Sequence, residues 1–160
     1  MDFENFPIPL IVDISTMDER LEDVLYYLID KTNKVARRYS QEIFTKEGYD
    51  ITVDQWLVLK KIKDSEQINQ VELATALFKD TASITRILQL LVDKKLVKKE
   101  YKANDRRHFL LTLTLKGEQL YKQLLPLVKA MRIQGISDFS ETEKDQVKKL
   151  LLRMIKNLED

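Results

Sequence analysis

A chain of 160 residues is long enough for one or two small cores, and 44% apolar with 33% charged residues is the balance of an ordinary globular protein. With no cysteine and one histidine, His108, disulfide scaffolds, thiol sensing and Cys/His zinc sites are excluded, and three glycines cannot build a Gly-rich phosphate loop. No apolar run approaches the roughly 18 residues that span a bilayer, and no basic segment precedes the short Phe6 to Val12 stretch, so no membrane contact and a cytoplasmic location are expected.

Pro7 and Pro9 bar a helix near the start, leaving residues 1–14 irregular or extended. Thr16-Met17-Asp18-Glu19 reads as a capping box that opens a helix of about thirty residues, to about Lys46, stopped by Gly48. Leu21, Val24, Leu25, Leu28 and Ile29 begin its apolar stripe. A helix of that length needs something to lie against, and a second copy of the chain is the simplest partner. Thr52-Val53-Asp54-Gln55 is a second capping box, opening a helix through about Lys63 with Trp56, Leu57, Leu59 and Ile62 on one face. Asn69, with Glu72 three residues on, caps a short helix to about Phe78. Asp80 or Thr81 caps another to about Lys94, whose stripe is Ile84, Ile87, Leu88 and Leu91.

The period then changes to two. Leu96 to Tyr101 and Phe109 to Leu113 read as the strands of a hairpin, with the polar, basic run Lys102 to Arg107 as its loop. Thr114 caps a helix from about Leu115 to Gln134, which Pro126 is expected to kink. Ser140-Glu141-Thr142-Glu143 opens a last helix carrying Val147, Leu150, Leu151, Met154 and Leu158 on one face. The fold class is therefore mostly α with a small β-hairpin wing. It divides into an arm and dimerisation helix (1–47), a winged helix-turn-helix lobe (48–114) and C-terminal dimerisation helices (115–160), intertwined as one domain.

The net charge of +1 hides a polarity. Residues 1–30 hold eight acids and one base, a balance of −7. Residues 79–107 hold nine bases and four acids, a balance of +5, which is an electrostatic footprint for phosphate. The stripe of the 81–94 helix turns Thr81, Ala82, Ser83, Thr85, Arg86 and Gln89 outward near its start, and such polar groups suit base edges and phosphates. A cationic hairpin beside it suits the minor groove, through Arg106 and Arg107. The bland readings are an exposed helix face and a solvated tip. No catalytic set can be assembled: there is no cysteine nucleophile, and the carboxylates are spread along solvated faces. Neither an enzyme nor a cofactor is expected.

The run Gln70-Val71-Glu72-Leu73-Ala74, then Thr81 to Leu88, Lys94-Lys95-Leu96-Val97, Asp105-Arg106-Arg107 and Leu113-Thr114-Leu115-Lys116-Gly117 resembles the MarR family of bacterial regulators. Thr52 to Trp56 and Phe139 to Glu143 are similar to that family's pattern too, so the resemblance covers about Asp18 to Leu158. It implies a homodimer formed by the first and last helices. Two winged modules would read a pseudo-palindrome in double-stranded DNA, and repression is the expected outcome. The 81–94 helix would be the recognition helix, Asp105 would orient Arg107, and the wing arginines would enter the minor groove. It also implies a small, often aromatic or anionic, ligand between the dimer helices and the DNA-binding lobe. Tyr26, Arg37 and Trp56 are candidates for that pocket, against the plainer reading that they are core of the dimer helices. The alternative function is a winged-helix protein-interaction module without a DNA target. Two positions depart from the family pattern: Lys95 stands where glycine is usual, and no proline precedes the Asp-Arg-Arg run.

Overall fold

The computed structural model describes residues 20–65, 67–102 and 105–159, with the backbone alone over 101, 102 and 105–108. The chain divides into two compact units, Met1–Arg38 and Tyr39–Asp160. The division falls inside the first α-helix, α1 (Leu25–Lys46).

In the first unit, a single turn of 3-10 helix over Leu21–Asp23 is followed by Val24 in an extended conformation (ψ 118°), and only then does α1 begin. The uninterrupted stripe from Leu21 to Ile29 expected from the sequence is therefore broken at Val24. The acids explain the break. In a continuous helix Asp18, Glu19, Glu22 and Asp23 would stand three and four residues apart, where like charges repel. The branched Cβ of Val24 also favours extended backbone. The expected cap at Thr16 and the Pro7–Pro9 segment lie outside the described residues. Within this unit α1 exposes Leu25, Tyr26, Leu28 and Val35.

The second unit holds the core. At the end of α1, Phe44 is buried and the chain stops at Gly48, whose φ of +76° is the left-handed turn a glycine adopts without strain. Tyr49 N–H donates to the Phe44 carbonyl and Gly48 N–H to that of Thr45, closing the helix end as expected. Gln41 then ties α1 to the next segment, donating to the Ile51 carbonyl (3.2 Å) and accepting from Val53 N–H (3.1 Å).

The next three helices follow their caps closely. In α2 (Val53–Asp64) the Thr52 hydroxyl accepts from Gln55 N–H, and the Gln55 side chain accepts from Thr52 N–H. Trp56, Val58, Leu59 and Ile62 are buried. In α3 (Gln70–Ala76) Asn69 and Glu72 form the same reciprocal pair. Asp80 caps α4 (Thr81–Asp93), whose Ile84, Leu88 and Leu91 are buried. The α3 helix ends at Ala76 rather than Phe78, because Phe78 takes a left-handed φ of +52°. Lys95 takes φ +58° just after α4, so the stop for which glycine is usual is made by a lysine, as the sequence suggested.

The hairpin pairs β1 (Val97–Lys102) with β2 (Asp105–Leu113) in antiparallel register, Val97 opposite Leu113 and Tyr101 opposite Phe109. One difference from the sequence reading matters. Asp105, Arg106 and Arg107 belong to β2 and not to a six-residue loop, because Lys102 pairs with Asp105 across an irregularity in register. Leu111 N–H donates to the Ile68 carbonyl (3.1 Å), which fastens the segment before α3 to the hairpin. Two terminal helices complete the unit: α5 (Leu115–Gln134), capped by Thr114 and containing Pro126, and α6 (Glu141–Glu159), opened by Ser140 and Glu143 as expected. No helix among the described residues is long and apolar enough to cross a membrane. Three helices with α3 and α4 packed on α2, followed by a two-stranded hairpin, make a winged helix-turn-helix.

Candidate nucleic-acid interface

Burial of Ile84, Leu88 and Leu91 decides which face of α4 looks outward. Thr81, Ala82, Thr85, Arg86, Gln89 and Leu90 are exposed, and Ser83 is half-buried. The sequence-predicted set is thus brought together on one helix, but its members are not equally free.

Ser83 is committed to the cap. Its hydroxyl donates to the Asp80 carboxylate (2.6 Å), and its N–H donates to the other carboxylate oxygen (2.7 Å). These Ser83 bonds, the side-chain one foremost, hold the Asp80 carboxyl below the ordinary aspartate value of 3.8. A negative charge therefore already sits at the α4 N-terminus, where a phosphate would otherwise be favoured. The Thr85 hydroxyl donates to the Thr81 carbonyl (2.7 Å) and accepts from the Gln70 amide nitrogen (2.6 Å). The Gln89 amide donates to Asp93 (2.8 Å). Arg86 is exposed, and its side chain has no hydrogen bond or ion pair among the described residues.

The basic block is partly neutralised within the lobe. Lys79 pairs with Asp54 (3.0 Å), Lys94 with Asp50 (2.9 Å) and Lys98 with Glu100, while the Lys99 ammonium lies 4.8 Å from the centre of the Phe109 ring. Lys98 and Glu100 are about half exposed, whereas Lys79, Asp54 and Lys94 are a quarter to a third exposed, so these pairs neutralise part of the block without closing it to solvent. Arg106 and Arg107 lie on β2, and Asp105 opens that strand; their side chains, and any Asp105–Arg107 contact, lie outside the described residues.

The junction of α4, hairpin and α5 is held by backbone contacts. The Thr114 hydroxyl donates to the Lys95 carbonyl (2.7 Å), Thr114 N–H donates to Leu96 (3.0 Å), and Lys116 donates to the Lys94 carbonyl (3.0 Å). A Cβ on Gly117 would stand 2.0 Å from the Leu96 carbonyl oxygen, so only glycine fits there. That close approach seats the start of α5 against the turn between α4 and β1.

Of the three pocket candidates, Trp56 is 2% exposed and its ring stacks on Tyr121 (5.2 Å, 12°) in the core. Its indole N–H is buried without an acceptor among the described residues. Tyr26 and Arg37 lie on α1 in the first unit, Tyr26 58% exposed. Gln70 was missing from the sequence-derived set. The only signal for it was its place at the first helical position after the Asn69 cap; its bond to Thr85 depends on how α3 crosses α4.

Known proteins match this chain along most of its length. A MarR family model matches residues 51–109, from just before α2 into β2. The HTH-type transcriptional regulator MgrA of Staphylococcus aureus is 28% identical over 134 residues, covering 84% of this chain and 88% of MgrA. A mutant MarR from E. coli, solved in complex with operator DNA, superposes with a TM-score of 0.75 at 27% identity, over 85% of this chain and 98% of that one. The reduced form of MarR from E. coli is 30% identical with a TM-score of 0.69, over 82% of this chain and 96% of its own. With that identity across nearly the whole of E. coli MarR, and the same helices and hairpin in the same order, the chain belongs to the MarR family.

Proposed function

We propose that this protein is a sequence-specific DNA-binding transcription regulator, a repressor, that acts as a homodimer on a pseudo-palindromic site in cytoplasmic DNA, and is not an enzyme. The observation that carries this reading is the outward row of α4. Thr81, Thr85, Arg86 and Gln89 are exposed along one helix whose opposite side is locked into the core by Ile84, Leu88 and Leu91. A helix presenting polar ends from a rigid seat can enter a major groove, and an exposed arginine suits guanine O6 and N7. Arg106 and Arg107 on β2 are proposed as the minor-groove contacts, with Asp105 as the orienting partner of Arg107. MarR of E. coli bound to operator DNA shares this fold, which supports the same target here.

The homodimer reading rests on unburied apolar side chains. None of the 19 residues of α6 is buried, and Val147, Leu150, Leu151, Leu152 and Ile155 face solvent. A cleft of about 390 Å³ at Ile136, Phe139, Val147 and Leu151 adds to that surface. The 25–35 part of α1 is likewise uncovered at Leu25, Leu28 and Val35. Exposed apolar area of this extent marks an interaction surface, and a second copy covers it in this reading. A small aromatic or anionic effector, with Tyr26 and Arg37 as its candidate contacts, belongs to the same proposal.

The test is duplex binding. The parent protein binds random-sequence duplex at low salt, and its affinity falls steeply as salt rises because phosphate contacts release counterions. The variant carrying Arg106→Ala and Arg107→Ala loses about 1–3 kcal/mol of affinity for a selected site. Unchanged binding by this variant overturns the wing assignment, and no binding by the parent overturns the reading. The alternative of a protein-interaction module needs an apolar recognition face, and on α4 that face is polar apart from Ala82 and Leu90.

A further inference from the structure

We propose that Gln70 is a base-reading residue, specific for adenine, and that Thr85 is its positioning partner rather than a phosphate contact. The inference rests on the DNA-binding reading above and names a specificity determinant within it.

Hydrogen-bond accounting carries the argument. A threonine hydroxyl has one donor and two acceptor lone pairs. Thr85 spends its donor on the Thr81 carbonyl (2.7 Å) and one lone pair on the Gln70 amide nitrogen (2.6 Å). Phosphate oxygens only accept, so Thr85 in this arrangement has nothing to offer them. Gln70 is in a different position. Its amide nitrogen has two N–H groups, and Thr85 takes one. The N–H on the carbonyl-oxygen side forms a donor–acceptor edge with that oxygen, and the other N–H, pointing away, is the one that can serve Thr85 without using that edge. In the major groove adenine presents an acceptor, N7, beside a donor, N6, which is the complement of that edge.

The surroundings favour a base over a phosphate. The first N–H groups of α3 are already occupied: the Asn69 side-chain oxygen accepts from Val71 (2.8 Å) and Glu72 (3.0 Å). The Glu72 carboxylate, bonded to Asn69 N–H (2.9 Å), adds negative charge there. The α3 end thus offers no seat for an anion, while the amide edge of Gln70 stands next to the exposed row of α4. The bond to Thr85 also fixes the long Gln70 side chain before any DNA arrives, so less freedom is lost on binding.

The experiment selects duplexes from a pool with a randomised core, using the full chain and its variants. The parent is expected to enrich sites with adenine at one position in each half-site. Gln70→Ala loses that preference alone and binds the selected site about 5- to 150-fold more weakly, the worth of one bidentate base contact. Its circular dichroism spectrum and melting temperature match those of the parent, which reports that the variant is folded. Gln70→Lys, whose ammonium only donates, shifts the same position toward guanine, whose O6 and N7 only accept. Thr85→Val keeps shape but removes the acceptor; it weakens the adenine preference and adds nothing when combined with Gln70→Ala. If Gln70→Ala keeps every preference of the parent, or weakens all duplexes equally, the inference is overturned while the DNA-binding reading stands. If the parent binds no duplex, both fall.

Discussion

One left-handed residue and one glycine show how much backbone conformation governs here. Phe78 ends α3 with φ +52°, its N–H donating to Thr75 and that of Lys79 to Ala74, the closure normally made by glycine. Its side chain is 93% exposed, so no packing offsets the strain of a Cβ in that region. Phe78→Gly should therefore raise stability by about 1 kcal/mol, read as a higher urea midpoint at unchanged slope. Gly117 is the opposite case. A methyl there would overlap the Leu96 carbonyl oxygen, which also accepts from Thr114 N–H. Backbone cannot step aside as a flexible side chain can, and Gly117→Ala should cost roughly 3 kcal/mol, measured by thermal unfolding. The family pattern in the sequence contained this glycine, but only the approach of Leu96 explains it.

At the scale of elements, the helix starts were legible because each is written in four residues. Thr52–Gln55, Asn69–Glu72, Thr114 and Ser140–Glu143 all cap where their spacing predicts. A cap is a local interaction and needs no tertiary information. The start of α1 was not legible, since crowded like charges before Leu25 outweighed the apolar period. The hairpin loop was read too long for a related reason: a charged strand end looks like a loop until its partner strand is known. The cap of α4 makes a pH prediction. Hydrogen bonds from Ser83 depress the folded Asp80 value below 3.8, so this stabilisation is present above the unfolded value and lost as pH falls through the folded one. Asp80→Ala should melt lower than the parent at neutral pH, and the gap should close on acidification below 3.8. A gap that persists unchanged into strong acid contradicts the assignment of this cap to the carboxylate.

For the molecule as a whole, the unburied faces are the main feature. The fully buried side chains collect around α2, α4 and the hairpin, whereas α6 contributes none. A helix with no buried residue of its own is stabilised by what covers it, and in the proposed dimer that is a second copy. Leu151→Glu places a charge in this surface and should shift the sedimenting species from the dimer to the 18.9 kDa chain, with loss of affinity for a two-half-site duplex. A variant that sediments like the parent would exclude α6 from the interface.

The sequence alone determined the order of helices and hairpin, the apolar stripe of α4 and the sign of charge around it. Those are set by neighbours within one or two turns, where spacing and capping chemistry act directly. Only the tertiary structure decided which groups of the exposed row are free. Thr85 is held by Gln70 fifteen residues away, and on α2 Trp56 is closed off by Tyr121. A hydroxyl or amide has few bonds to give, and what remains for a ligand depends on partners that packing, not sequence distance, brings within reach.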